Sequence, residues 1–133
     1  MSALAYESAK TRYKEVLDLL ARDPHTDIVE RIEALLGLAS ATRALGDPTF
    51  TTAVIRAGRL ARTARDPRLM GEAAMLSTWL GAAFFAAELP DVELIELCED
   101  ALEVIPTSDP LRVRVLATLA SHLTFAPDRA PRA

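Results

Sequence analysis

The chain has 133 residues, one domain's worth, and half of them are hydrophobic although few are aromatic. Its net charge of −4 argues against a general affinity for nucleic-acid phosphates. The single cysteine, Cys98, excludes an internal disulfide and fits a reducing compartment. The opening MSALAYESAK has no apolar signal core, and the weakly charged stretch 73–87 is too short and too rich in small residues to span a bilayer. A cytoplasmic protein without membrane segments is expected. Arginine far outnumbers lysine, present only as Lys10 and Lys14, a bias that points to a GC-rich genome.

Alanine and leucine dominate and glycine is scarce. That mixture favours helix, because Ala, Leu, Arg and Glu keep most of their rotamer freedom there. Period-two runs of β-branched residues are missing. The clearest punctuation is Asp-Pro, at Asp47-Pro48, Asp66-Pro67 and Asp109-Pro110, each just before an apolar-periodic run. An aspartate can cap the free N–H groups of a first helical turn, and proline fits the next position, where no N–H is needed. Asp23-Pro24 instead follows periodic residues and closes a helix.

Six helices are expected in chain order. The first covers 3–21 and the second 27–45, with Gly46 as its left-handed C-terminal residue. The third covers 48–64 and the fourth 67–88. The fifth covers 92–104 and is stopped by Pro106; the sixth covers 110–123. Residues 1–125 form the domain, and the tail 126–133 is expected to fray. The short connections join antiparallel neighbours. In the fifth helix Leu94, Leu97, Ala101 and Val104 lie beside Ile95, Cys98, Leu102 and Ile105. An apolar face that broad needs neighbours on two sides, as in a stacked array.

Two helix types alternate. The first helix carries Tyr6, Ala9, Tyr13, Val16, Leu17 and Leu19. The third repeats that order more weakly with Phe50, Ala53, Ala57, Leu60 and Ala61, and the fifth keeps its end in Ala101-Leu102 and Pro106. The second and sixth share another pattern: Leu35, Leu38, Ala39 and Thr42 before Gly46-Asp47, and Leu116, Leu119, Ala120 and Leu123 before Pro127-Asp128. These match the B- and A-helix patterns of tetratricopeptide-like repeats, and the small residues Ala9, Ala39, Ala53 and Ala120 let helices approach closely. The alternative is a generic helical bundle with chance periodicity. The order opens on a B-type helix and ends just after an A-type helix, so the terminal helices are expected to lack partners. Tyr6, Tyr13, Val16 and Leu20 at one end, and Leu116, Leu119 and Leu123 at the other, would then invite self-association or end-on docking.

The run ALAYESAKTRYKEVLDLL resembles the start of the helical-repeat region of large ATP-dependent LuxR-type (MalT-like) transcriptional regulators. The segment 32–66 resembles their following repeat, and LPDVELIELCEDALEVIPTSDPLRVRVLATLASHL is also similar to that family. The resemblance implies a sensor or interaction arm, possessed by regulators in which an ATPase precedes and a helix-turn-helix domain follows. This sequence has no G-x-x-x-x-G-K-[ST] phosphate loop and no basic recognition helix, so neither activity carries over. A truncated paralogue or a fragment of a longer regulator is one expectation that follows.

Chemistry-bearing residues are sparse. His25 in a loop and His122 near a helix end have no companions at ligand spacing, so no metal is expected. Cys98 on an apolar face reads as a structural thiol. Ser40, Ser77 and Ser121 are helix residues without a nucleophile elbow. Charge is more informative. Arg56, Arg59, Arg62 and Arg65 recur every three residues, with Arg43 and Arg68 nearby. From Glu88 to Asp109 every ionisable carboxyl or amine is acidic, including Asp91, Glu93, Glu96, Glu99, Asp100 and Glu103. These are two solvated faces that partly neutralise each other on adjacent B-type helices, or a bipolar surface that selects a partner electrostatically. Trp79, Phe84 and Phe85 pack in the core or line a groove.

The sequence therefore predicts an all-α, tetratricopeptide-like array with no enzymatic activity and no cofactor. Its expected role is a protein-interaction module like part of a regulator's sensor arm, with a small-molecule effector-binding module as the alternative. Candidate partner-binding residues are Arg56, Arg59, Arg62, Glu96, Glu99, Glu103, Trp79, Tyr6 and Tyr13.

Overall fold

A computed structural model describes residues 2–77 and 92–124. Among the described residues lie six helices and no strand: α1 (Ala3–Arg22), α2 (Ile28–Ala44), α3 (Phe50–Ala64), α4 (Pro67–Leu76), α5 (Val92–Val104) and α6 (Pro110–Thr124). The expected continuation of the fourth helix to residue 88, with Trp79, Phe84 and Phe85, lies outside the described residues, as does the tail 126–133.

Helix ends follow the capping chemistry closely. Ser2 opens α1 by accepting the Ala5 N–H at 3.3 Å. At its other end the Asp23 N–H donates to the Leu20 carbonyl, and the Thr26 hydroxyl donates to that same carbonyl at 2.8 Å. The Asp23 carboxylate takes the His25 N–H at 2.9 Å, so Asp23-Pro24 closes the helix as the sequence predicts. Asp27 opens α2 through the Val29 N–H at 3.1 Å. Asp66 opens α4 through the Leu69 N–H at 3.2 Å with Pro67 in the first turn, and Asp109 takes the Leu111 N–H at 2.9 Å just before α6.

The third Asp-Pro pair behaves differently. Asp47 does not cap a helix beginning at Pro48; α3 begins at Phe50. The Asp47 carboxylate closes a local turn instead, accepting the Thr49 N–H at 2.9 Å and the Thr49 hydroxyl at 2.8 Å. Successive i to i+3 bonds, from Phe50 to Asp47 and from Thr52 to Thr49, lead the chain into the helix.

Two helices share one termination device. After α2, Gly46 takes φ 72°, the left-handed residue the sequence calls for, and the Asp47 N–H reaches back to the Thr42 carbonyl at 3.0 Å. After α3 the same motif is built on Arg65, at φ 53°, with the Asp66 N–H on the Ala61 carbonyl at 3.3 Å. An L-residue with a Cβ pays strain for that conformation. A side chain performs the equivalent job for α5, where the Arg112 guanidinium donates to the Leu102 and Ile105 carbonyls at the helix's C-terminal end.

Each helix packs on the next one in the chain, and α2 also meets α4, α3 meets α5 and α4 meets α6. The core runs through all but the first helix: Ile32, Leu35 and Ala39 of α2, Phe50, Val54 and Ala57 of α3, Leu69, Met70 and Ala73 of α4, Leu94, Leu97 and Cys98 of α5, and Val115 of α6. α1 contributes no fully buried residue and packs through a half-buried face that includes Tyr6, Tyr13 and Leu17.

Glycine sets the closeness of two contacts. A Cβ on Gly37 would fall inside the Tyr13 ring, 2.8 Å from Cε2 and nearer still to Cε1 and Cζ. The tyrosine of α1 therefore lies in a slot that only a missing side chain provides. Gly58 of α3 receives Leu97 of α5 in the same way, with the leucine methyls 2.8 and 2.9 Å from the position a Cβ would take.

Candidate interaction surfaces

The arginine row and the acidic run meet along the contact between α3 and α5. Arg59 Nε lies 2.6 Å from Glu93 Oε1, and Arg62 Nη1 lies 3.0 Å from Asp100 Oδ2. Two of the predicted cationic binding residues are thus engaged within the chain, on adjacent helices whose charges offset each other. The Arg62 side chain is partly buried, and its Nε is a buried donor with no hydrogen-bond partner among the described residues. Arg56 stands exposed on α3, and Glu96 and Glu103 stand exposed on α5, while Glu99 is half-buried. The exposed Arg59–Glu93 pair contributes little to stability.

A second charge group spans α2 and α4. Arg68 lies 2.9 Å from Glu72 on its own helix and 3.6 Å from Glu33 on α2. Glu72 is the main influence that raises the Arg68 pKa above its ordinary value, so this guanidinium is always charged. At the other end of the array Lys10 of α1 lies 3.1 Å from Asp47 in the turn between α2 and α3. The Thr49 backbone N–H is the largest cause lowering the Asp47 carboxyl from 3.8 to about 2, followed by the Thr49 hydroxyl and then Lys10. The turn before α3 and the first helix are tied together through that carboxylate.

A polar cluster in the described core joins α4, α5 and α6. Ser77, fully buried after α4, donates its hydroxyl to the Ala74 carbonyl and lies 2.8 Å from His122 Nε2. These two contacts tie the end of α4 to α6. Cys98 is buried beside Ser77, and burial is the main cause that pushes its thiol up to about 11. A thiol held that far above neutrality carries almost no thiolate and is not a nucleophile at ordinary pH. Sequence reasoning gave no signal for the Ser77–His122 bond, because 45 residues separate the two partners.

Tyr13, named from the sequence as a candidate contact residue, is seated on Gly37. Tyr6 shares its helix face and is half-buried. The exposed large apolar side chains are elsewhere: Leu4, Val16 and Leu19 on α1, Val92 and Val104 on α5, Val113 and Leu116 on α6. Among the described residues, no three His, Cys, Asp or Glu side chains converge as a metal site, and no helix is long and apolar enough to cross a membrane.

Comparison with known proteins adds no neighbour. No family model, curated protein or solved structure matches the chain.

Proposed function

We propose that this chain is a non-enzymatic protein-interaction module, built as stacked helix pairs of the tetratricopeptide-like kind and resembling part of the sensor arm of a LuxR-type regulator. One observation carries the reading: each helix meets the next, and α2, α4 and α6 also meet in a row. That neighbour pattern is the one expected when alternating A and B helices propagate in one direction. In such a stack the A-type helices form one side and the B-type helices the other, which matches the alternation read from the sequence. The surface offered to a partner is then the side of an array rather than a cleft with converging reactive groups. Among the described residues the Ser77–His122 contact ties α4 to α6, and the Cys98 thiol is buried and pushed up to about 11. A buried reduced thiol also suits the cytoplasm.

Affinity capture from cells of the native source, followed by calorimetry with each retained protein and with a metabolite panel, tests the proposal. The expected result is saturable binding of a protein and no heat from metabolites. Binding of a metabolite alone would replace it with the effector-binding reading. Saturable ATP hydrolysis that survives repurification would overturn the non-enzymatic assignment.

A further inference from the structure

α1 is fastened to the array more lightly than the helices that follow it. Among the described helices it meets only α2, whereas α2, α3, α4, α5 and α6 each meet at least two others. It buries no residue fully and supplies none of the buried core; Leu17 packs against that core from a half-buried position. Two features hold it in place: Tyr13 seated over Gly37, and the Lys10–Asp47 pair at 3.1 Å. The linker to α2 adds no apolar anchor. Asp23, Pro24 and His25 are exposed, and the Thr26 hydroxyl bonds back to the Leu20 and Asp23 carbonyls at the end of α1 itself. Beneath α1, Ala34 and Ala41 share the Gly37 face of α2, at the i−3 and i+4 positions. Ile32, Leu35 and Ala39, which belong to the core, lie on the opposite face. Ala34 and Ala41 are buried yet stand outside that core cluster, and α1 is the described helix over them.

We propose that α1 opens as one cooperative unit while α2 to α6 stay folded, and that its opening uncovers a groove on α2 floored by Ala34, Gly37 and Ala41. A segment opens below the global unfolding free energy when few buried apolar contacts hold it. Release of α1 breaks one aromatic seat and one ion pair, and it returns to water side chains that are already partly wet. The buried side chains of α2 to α6 stay packed on one another. The linker 23–27 serves as the hinge, because the start of α2 is capped separately by Asp27 and does not depend on α1. Small side chains let a helix lie close in the groove, and in the closed chain α1 is that helix. The opening is a conformational device: it exchanges a covered face of α2 for an exposed one without unfolding the array.

Thiol labelling of the full chain with iodoacetamide, read peptide by peptide in a mass spectrometer, tests the opening. Ala41→Cys places a thiol under α1, and native Cys98, buried in α5, reports on the core of the same molecule. Without urea the thiol at position 41 should label at least roughly tenfold faster than Cys98, and with a flatter urea dependence, because α1 opening exposes less surface than unfolding. Gly37→Ala should speed labelling at position 41 by about 5- to 30-fold. Lys10→Gln, which breaks the ion pair and spares the turn around Asp47, should speed it by a smaller factor. Val54→Ala makes a cavity in α3, which α1 does not meet; it should speed Cys98 by roughly tenfold or more and leave position 41 unchanged. Ile95→Val is the milder cavity and Ala34→Cys the alternative thiol where the first variants fail to fold. Equal acceleration of both thiols by Val54→Ala would mean that α1 opens only with the whole chain, and overturns the proposal. A position-41 thiol no faster than Cys98 does the same. Hydrogen exchange should show residues 9–17 protected to one common level; a steady decline toward one end is fraying and overturns the cooperative unit.

Discussion

Replacing Gly37 with alanine isolates the contact that holds the first helix to the array. In a solvent-exposed helix interior, Gly→Ala stabilises by about 1 kcal/mol through reduced chain entropy and better propensity. Here the new methyl would enter the space of the Tyr13 ring, with Cε2 2.8 Å away and two further ring carbons closer. Overpacking of that kind costs about 1–3 kcal/mol, because the ring must shift or swing into solvent and surrender its burial. The overlap with rigid ring carbons puts the cost at the upper end, leaving a net destabilisation of about 1–2 kcal/mol. For a chain of this size each kcal/mol moves the midpoint by about 3–4 °C, so the expected drop is roughly 3–8 °C. Thermal and urea unfolding of four proteins makes the test: wild type, Gly37→Ala, Tyr13→Ala and the double variant. With the ring removed, Gly37→Ala should change sign and stabilise by about 0.5–1 kcal/mol. If Gly37→Ala stabilises by the same amount with and without the tyrosine, Tyr13 is not seated on Gly37 and the packing of α1 described above is wrong.

Other expectations follow from the helix ends and the titrating groups. Asp109→Ala should cost about 1 kcal/mol in chemical unfolding, while an unchanged midpoint would deny Asp109 its capping role. Arg65→Gly should stabilise by about 1 kcal/mol, because glycine adopts the left-handed conformation at φ 53° without a Cβ clash; a loss of stability would mean the arginine side chain holds α3 by another contact. The Asp47 carboxyl is lowered from 3.8 to about 2, so it contributes stability above the higher value, and that contribution fades as pH falls through about 2. At this partly exposed turn the contribution is about 1 kcal/mol after screening, and Asp47→Asn should flatten the acid limb of the stability profile by that amount. Cys98, held up to about 11 by burial, should resist thiol reagents in the folded protein and react only as fast as the chain opens. Rapid labelling under native conditions would contradict its burial.

Much of the helical frame was legible because its punctuation is local. Asp66-Pro67 and Asp109-Pro110 cap in place, and Gly46 adopts its left-handed turn, since each depends on residues within a few positions. The late start of α3 was not legible, because an aspartate two residues before a threonine can close its own turn as readily as it caps a helix. Arg65 carries no glycine signal, although its backbone does what Gly46 does. The charge seam was half legible: the arginine row and the acidic run are plain in the sequence, but the choice of Glu93 and Asp100 as partners needs the register of α3 against α5. Tyr13 in its Gly37 slot and Ser77 against His122 join residues far apart in the chain, which periodicity cannot pair.

The central claim, that this chain acts by holding another protein, meets its most direct test in quantitative capture with the wild-type chain as bait, followed by calorimetry with each retained protein. The account predicts that the wild-type chain retains a protein partner reproducibly and binds it saturably in calorimetry. If wild type retains nothing above background while calorimetry records tight binding of a small metabolite, the chain is an effector-binding module and the interaction account is wrong.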